Sequence, residues 1–215
     1  MLDGPRLDPA SGGKPKSLVV FLHGYGADGN DLIGIGREWS RALPGTAFVS
    51  PHAPELCAGA PMGRQWFPLT MRDAQEFSRG AARARPALDV FLDAELQRHG
   101  LDEAACVLVG FSQGTMMALH VGPQRKQKLA GILGYSGLLP DPAALKGGAI
   151  QKPSVLLIHG ERDDLIPVQA LFSAAQGLAA AEIPVEWHVS PGTPHGIGPD
   201  GIALGLAFLR RVLPR

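Results

Sequence analysis

The chain has 215 residues, 20 Lys plus Arg balanced by 20 Asp plus Glu, and 45% hydrophobic residues. That length carries one ordinary domain with its core, and the apolar content is too rich for a disordered chain. A net charge of zero lacks the footprint of a nucleic-acid or anionic-membrane binder. Cys57 and Cys106 alone cannot build a disulfide framework for a fold this size, and no C-x-x-C metal or redox site is present.

With 28 glycines and 19 prolines, the chain should turn often between short elements. Residues 1–16 are Gly/Pro/Lys-rich and read as a loose lead-in. They hold no apolar stretch of a secretory signal, which points to a soluble, cytoplasmic protein. Residues 17–22 (SLVVFL) form a short apolar run ending in His23-Gly24, the look of a strand buried on both faces. Gly24, Gly26 and Gly29 make the next loop, and Asp28, Asn30 or Asp31 could cap a helix reaching about Leu43. A second strand follows at 46–50, and the Pro-rich 51–71 segment reads as irregular. Leu88, Phe91, Leu92, Leu96 and His99 keep helical spacing and Gly100 stops it; Pro86 either starts this helix or kinks a longer one.

Strands and helices then alternate: strand 105–109, helix 113–121, strand 129–135, a short helix at 142–146, strand 154–159, helix 168–181, strand 185–189 and helix 201–213. The uncharged 104–124 stretch holds Gly110, Ser112, Gln113, Gly114 and His120, so it reads as strand, turn and helix rather than a membrane span. The alternation predicts an α/β fold with a mostly parallel sheet. In such folds ligands bind at the carboxyl ends of strands.

Gly110-Phe111-Ser112-Gln113-Gly114 matches G-x-S-x-G between a strand and a helix, the setting of a nucleophile elbow. The turn must be sharp enough to strain Ser112, and flanking side chains would collide with the neighbouring strand and helix. Serine needs a base. Among seven histidines, His195 stands in a loop between the last strand and the last helix. His188 lies inside an alternating strand, whereas His23 and His159 end strands before Gly and suit loop support. The base in turn needs an acid, and the loop His159–Pro167 offers Glu161, Asp163 and Asp164. The order Ser112, Asp163, His195 fits that of a Ser-acid-His hydrolase, while Asp164 fits a solvated loop or helix cap slightly better than Asp163 does. The oxyanion of a tetrahedral intermediate would be met by the backbone N–H groups of Gln113 and Tyr25.

Taken together, LHGYGADGNDL (22–32), PHAP (51–54), GRQWFPL (63–69), GFSQG (110–114), IHGERDDLIP (158–167) and PHGI (194–197) resemble the phospholipase/carboxylesterase branch of the α/β-hydrolases, which includes bacterial carboxylesterases and acyl-protein thioesterases. The resemblance runs from about Leu18 to Leu213. It implies one α/β-hydrolase domain without a large cap, and Asp163 as the acid. It also implies that the 51–71 loop forms part of the substrate site, with Trp66 and Phe67 as candidate wall residues. Tyr25 stands where thioesterase members usually carry Leu, and Thr115 where they carry Gly, which places the chain nearer the bacterial carboxylesterases. The expected function is a serine carboxylesterase for small to medium esters, with lysophospholipid or acyl-thioester hydrolysis as the alternative and a silent ligand-binding fold as a more distant one. The expected partner is a small-molecule ester, with no nucleic acid, metal, organic cofactor or stable membrane insertion; a homodimer is compatible with the pattern.

Overall fold

The computed structural model describes residues 2–57, 60–70, 73, 75–147 and 150–214. A seven-stranded sheet forms the middle layer. Its strands are β1 (Arg6–Leu7), β2 (Ser17–Leu22), β3 (Thr46–Val49), β6 (Cys106–Phe111), β7 (Gly131–Tyr135), β8 (Ser154–Gly160) and β9 (Val185–Ser190). The order is β1-β3-β2-β6-β7-β8-β9, and only β1 runs antiparallel to its neighbour. A separate hairpin joins β4 (Glu55–Cys57) to β5 (Ala60–Gln65). The α-helices are α1 (Ile33–Trp39), α2 (Glu76–His99), α3 (Gln113–Val121), α4 (Gln169–Ala180) and α5 (Pro199–Val212).

Side chains on a strand alternate between faces, and β2 shows the result. Leu18, Val20 and Leu22 pack with residues of α2, α3 and α4, whereas Val19 and Phe21 pack with residues of α1 and α5. Both faces are therefore covered, which is why the strand is apolar throughout rather than alternating. Among the described residues, no helix is long and apolar enough to cross a membrane.

Three expectations need correction. The lead-in is not all loose: Arg6 and Leu7 pair with Val49 and Phe48 as an antiparallel edge. The first helix spans only seven residues, from Ile33; Asp28 Oδ1 accepts from Asn30 N at 2.7 Å and so closes a local turn instead of capping the helix. The 51–71 segment is not wholly irregular, since it contains the β4–β5 hairpin; its Met71 lies outside the described residues, as does Met1 of the lead-in. Pro86 sits inside the 24-residue helix α2. It is exposed, as is Ala82 one turn earlier, so water can satisfy the carbonyl that proline leaves without a donor.

Candidate active site

The residues singled out for chemistry all follow carboxyl ends of strands: Tyr25 after β2, Ser112 after β6, Asp163 after β8 and His195 after β9. At the elbow, Ser112 has φ +53° and ψ −114°, a sparsely populated conformation for a residue with a side chain. The surroundings enforce it. Ser112 N–H donates to Tyr135 O at 2.9 Å, and Ser112 O accepts from Met116 N at 3.2 Å. A Cβ on Gly114 would stand 1.8 Å from Leu22 O, and one on Gly110 would stand 2.4 Å from Thr115 N. The backbones cross so closely that both flanking positions exclude any side chain.

Asp163 and His195 are brought together from two loops. Glu161 N donates to Ser190 O at 3.0 Å and Arg162 N to Thr193 O at 2.9 Å, and Gly192 N donates to Glu161 Oε2 at 2.7 Å. A Cβ on Gly160 would lie 2.4 Å from the carbonyl oxygens of Thr193 and Pro194, so this glycine lets the histidine loop press onto the end of β8. His195 Nδ1 then lies 2.7 Å from Asp163 Oδ2. A carboxylate only accepts, so Nδ1 carries the proton and Nε2 keeps its lone pair. Asp163 Oδ1 accepts from Leu165 N at 3.0 Å and Ile166 N at 2.8 Å. The Asp163 side chain is fully buried, whereas that of His195 is 14% exposed. Asp164 is exposed. It belongs to the solvated surface of the loop, and Asp163 is the acid that meets His195.

The His195 ring lies against Phe111, centroids 5.0 Å apart, and Phe111 immediately precedes Ser112. Gly24 closes the other side: a Cβ there would be 3.2 Å from the Phe111 ring and 3.4 Å from Ser112 Cβ. The next residue is Tyr25. Its amide and that of Gln113, the first residue of α3, have no protein acceptor among the described residues. Two free N–H groups thus flank the serine, one of them at the positive end of a helix.

Trp66 and Phe67 do not form a substrate wall. They are 1% and 0% exposed and belong to the core. The cause is Gln113, whose side chain accepts from Trp66 N at 2.9 Å and donates to Phe67 O at 2.7 Å. Trp66 Nε1 also donates to His23 O at 3.0 Å. His23 accepts from Ala53 N through Nε2 at 3.0 Å, so its Nδ1–H donates to Gly24 O at 2.8 Å. Burial holds the His23 imidazole below its ordinary pKa. These contacts form a rigid backing for the Gly24–Tyr25 turn.

The exposed apolar groups near the serine are others. Tyr25 is 39% exposed, and its phenol pKa is raised, chiefly by the neighbouring Cys57. The β4–β5 hairpin packs on the Tyr25 turn through Gly26 N to Arg64 O at 2.9 Å and Arg64 N to Ala27 O at 2.7 Å. Phe111 and the Gln113 side chain escaped the sequence reading. The x positions of G-x-S-x-G are unconstrained by the motif, so no signal there marks them. His188 pairs with Asp200 at 2.7 Å, away from this cluster. A hollow of about 620 Å³ lined by Lys16, Leu43, Thr46 and Arg210 lies at the amino ends of β2 and β3, the edge opposite the serine, and another of about 650 Å³, lined by Gly26, Asp28, Asp31 and Met62, borders the loop that carries Tyr25.

A profile of the family described as Phospholipase/Carboxylesterase matches residues 9–213. The chain belongs to this family. The crystal structure of esterase PE8 superposes with a TM-score of 0.95 at 44% identity, covering 99% of each chain. That of a phospholipase/carboxylesterase from Dyadobacter fermentans gives a TM-score of 0.75 at 25% identity, covering 96% of this chain and 95% of the other. Acyl-protein thioesterase 1 of Gibberella zeae is 29% identical over 216 residues, spanning 92% of this chain and 91% of that protein. This phospholipase/carboxylesterase family member is accordingly an α/β-hydrolase that acts on esters.

Proposed function

We propose that this family member is a serine carboxylesterase for small to medium esters, with Ser112 as nucleophile, His195 as general base and Asp163 as its orienting acid. The observation that carries the reading is the 2.7 Å contact of His195 Nδ1 with the buried Asp163, beside a serine held at φ +53°. In this mechanism Ser112 Oγ attacks the ester carbonyl and passes its proton to His195 Nε2. The Tyr25 and Gln113 N–H groups bind the oxyanion. The C–O bond to the alcohol breaks, and the imidazolium returns its proton to the leaving alkoxide. Water, deprotonated by His195, then attacks the acyl-enzyme and releases the acid and Ser112.

The preference for shorter acyl chains rests on Tyr25, an exposed aromatic residue of the loop whose amide is one candidate oxyanion donor. Residues 1–215 form one catalytic domain in this reading, and the hairpin within 51–71 flanks the substrate with exposed Leu56 and Met62. The enzyme works in the cytoplasm on small-molecule esters, without nucleic acid. Acyl-thioester hydrolysis is the second reading, favoured by the likeness to the Gibberella zeae thioesterase.

Hydrolysis of p-nitrophenyl esters from acetate to palmitate, by the wild type and by Ser112→Ala, tests the reading. Short-chain cleavage that disappears in the variant is expected. A maximum at long chains would move the assignment to lipid or thioester substrates, and turnover that survives Ser112→Ala would refute the nucleophile.

A further inference from the structure

His159 is the penultimate residue of β8 and is only 1% exposed, so it touches neither solvent nor substrate. Its Nε2 lies 2.8 Å from Ile166 O. A carbonyl oxygen only accepts, so Nε2 carries a proton. The same N–H passes within 3.2 Å of Asp163 Oδ2, the oxygen that receives His195 Nδ1. The other oxygen, Oδ1, receives Leu165 N and Ile166 N. A closed circuit results. His159 grips the carbonyl of Ile166, the amide of Ile166 grips Asp163, and the His159 N–H dipole lies against the carboxylate edge that faces His195.

β8 ends at Gly160, and the turn carrying Asp163, four residues after His159, has Asp164 and Leu165 exposed on its outer side. Backbone bonds to Oδ1 alone fix one oxygen and leave the carboxylate plane free to swing about it. The dipole beside Oδ2 removes that freedom.

We propose that His159 is a positioning residue for the acid. Through its Nε2–H it anchors the 163–166 turn at Ile166 O and holds Asp163 Oδ2 on His195. The proposal rests on the Ser112–His195–Asp163 reading and adds to it a residue that acts only through Asp163.

Two amide substitutions separate positioning from packing. In His159→Gln the side-chain nitrogen reaches the place of Nε2, whereas in His159→Asn it stops near Nδ1 and cannot reach Ile166 O. Both are polar and smaller than imidazole, so they disturb packing alike; thermal unfolding checks that each is folded. His159→Asn is expected to lower kcat for p-nitrophenyl butyrate by about 10- to 100-fold, the usual effect of losing an outer partner that orients a site group. KM should stay within about twofold, because no substrate contact changes, and His159→Gln should recover most of the loss. The downfield proton NMR signal of His195 Nδ1–H should persist in His159→Gln and shift or broaden in His159→Asn. Equal kcat values for the two variants, whether both low or both like the wild type, would overturn the proposal, as would an NMR signal identical in both. Asp163→Asn run alongside tells the two readings apart. If it is silent, the triad assignment fails; if it is severe while both His159 variants match the wild type, only the positioning role fails.

Discussion

Replacing Asp163 by Asn should change the chemistry without removing the fold, and the geometry shows why. The carboxylate receives two backbone N–H groups on Oδ1, at 3.0 and 2.8 Å, and the His195 N–H on Oδ2 at 2.7 Å. An Asn has one acceptor oxygen. If it faces Leu165 and Ile166, its NH₂ faces His195, which must then accept through Nδ1 and carry its proton on Nε2. That tautomer cannot take the proton of Ser112. If the amide is turned round, its NH₂ points at two backbone donors in a buried loop, at a cost of about 1–3 kcal/mol for each unmet group. The first arrangement is the cheaper, and the wrong tautomer costs about 10⁴ in kcat, or about 5.4 kcal/mol of activation free energy. Steady-state kinetics on p-nitrophenyl butyrate should show that loss in kcat with KM little changed. Asp164→Asn, on the exposed side of the same loop, should stay within about twofold of the wild type. An Asp163→Asn enzyme within tenfold of the wild type, or an Asp164→Asn enzyme that is the worse of the two, would refute the reasoning.

Gln113→Ala removes the partners of Trp66 N–H and Phe67 C=O, both buried. At about 1–3 kcal/mol for each orphaned group and about 2–4 °C per kcal/mol for a domain of this size, calorimetry should find the Tm lowered by roughly 4–24 °C; an unchanged Tm would mean the amide bridge carries no stability. Burial lowers the pKa values of His23 and His120 in the folded protein, so on acidification the unfolded chain takes up protons first. Their contribution is complete above the unfolded value of about 6.5 and is lost as pH falls through it toward the folded values. Urea unfolding at pH 7 and pH 5 should therefore show a lower midpoint at pH 5, with a smaller difference in His120→Gln. A midpoint that rises on acidification would contradict the buried, neutral assignment.

Segments with a strong period or a strong boundary were legible. Residues 17–22 and 113–121 form strand and helix at the predicted bounds, the first because burial on both faces leaves only apolar residues, the second because the elbow glycines mark its start. Residues that depend on distant partners were not. Two residues, Arg6 and Leu7, are too few to display a period, and they form a strand only because β3 offers an open edge. The start of α2 at Glu76 lies ten residues before Pro86; the sequence left open whether this proline starts the helix or sits within a longer one, and what decides it, the solvent exposure of Pro86, is a tertiary fact. Trp66 and Phe67 follow a Pro-rich stretch with no alternation to tell inward from outward; their burial is decided by a glutamine 46 or 47 positions later in the chain. In the candidate site, the placement of Ser112 and His195 after the carboxyl ends of strands was readable from their position between elements. Asp163 and Asp164 were not separable by local pattern, because adjacent residues of a turn point in opposite directions and only the histidine loop shows which direction is inward.

The division of labour within the site follows from these contacts. Ser112 is aimed by backbone crossings that tolerate no side chain at 110 or 114. Asp163 and His195 are aimed by two loops laced through backbone bonds and a glycine at 160. None of these depends on the residues that border the substrate. The Tyr25 turn is backed separately, by His23, Trp66 and Gln113, so Tyr25 can vary in bulk while its amide stays in place. Shortening this side chain in Tyr25→Leu should therefore alter acyl-chain preference more than it alters turnover of the best substrate. It removes the exposed phenol but leaves both candidate oxyanion donors, which are backbone groups. Ratios of kcat/KM for acetate, butyrate and octanoate esters measure the shift toward longer chains. A uniform fall across all chain lengths would instead show that the phenol supports the oxyanion turn itself, and that the backing described above is insufficient without it.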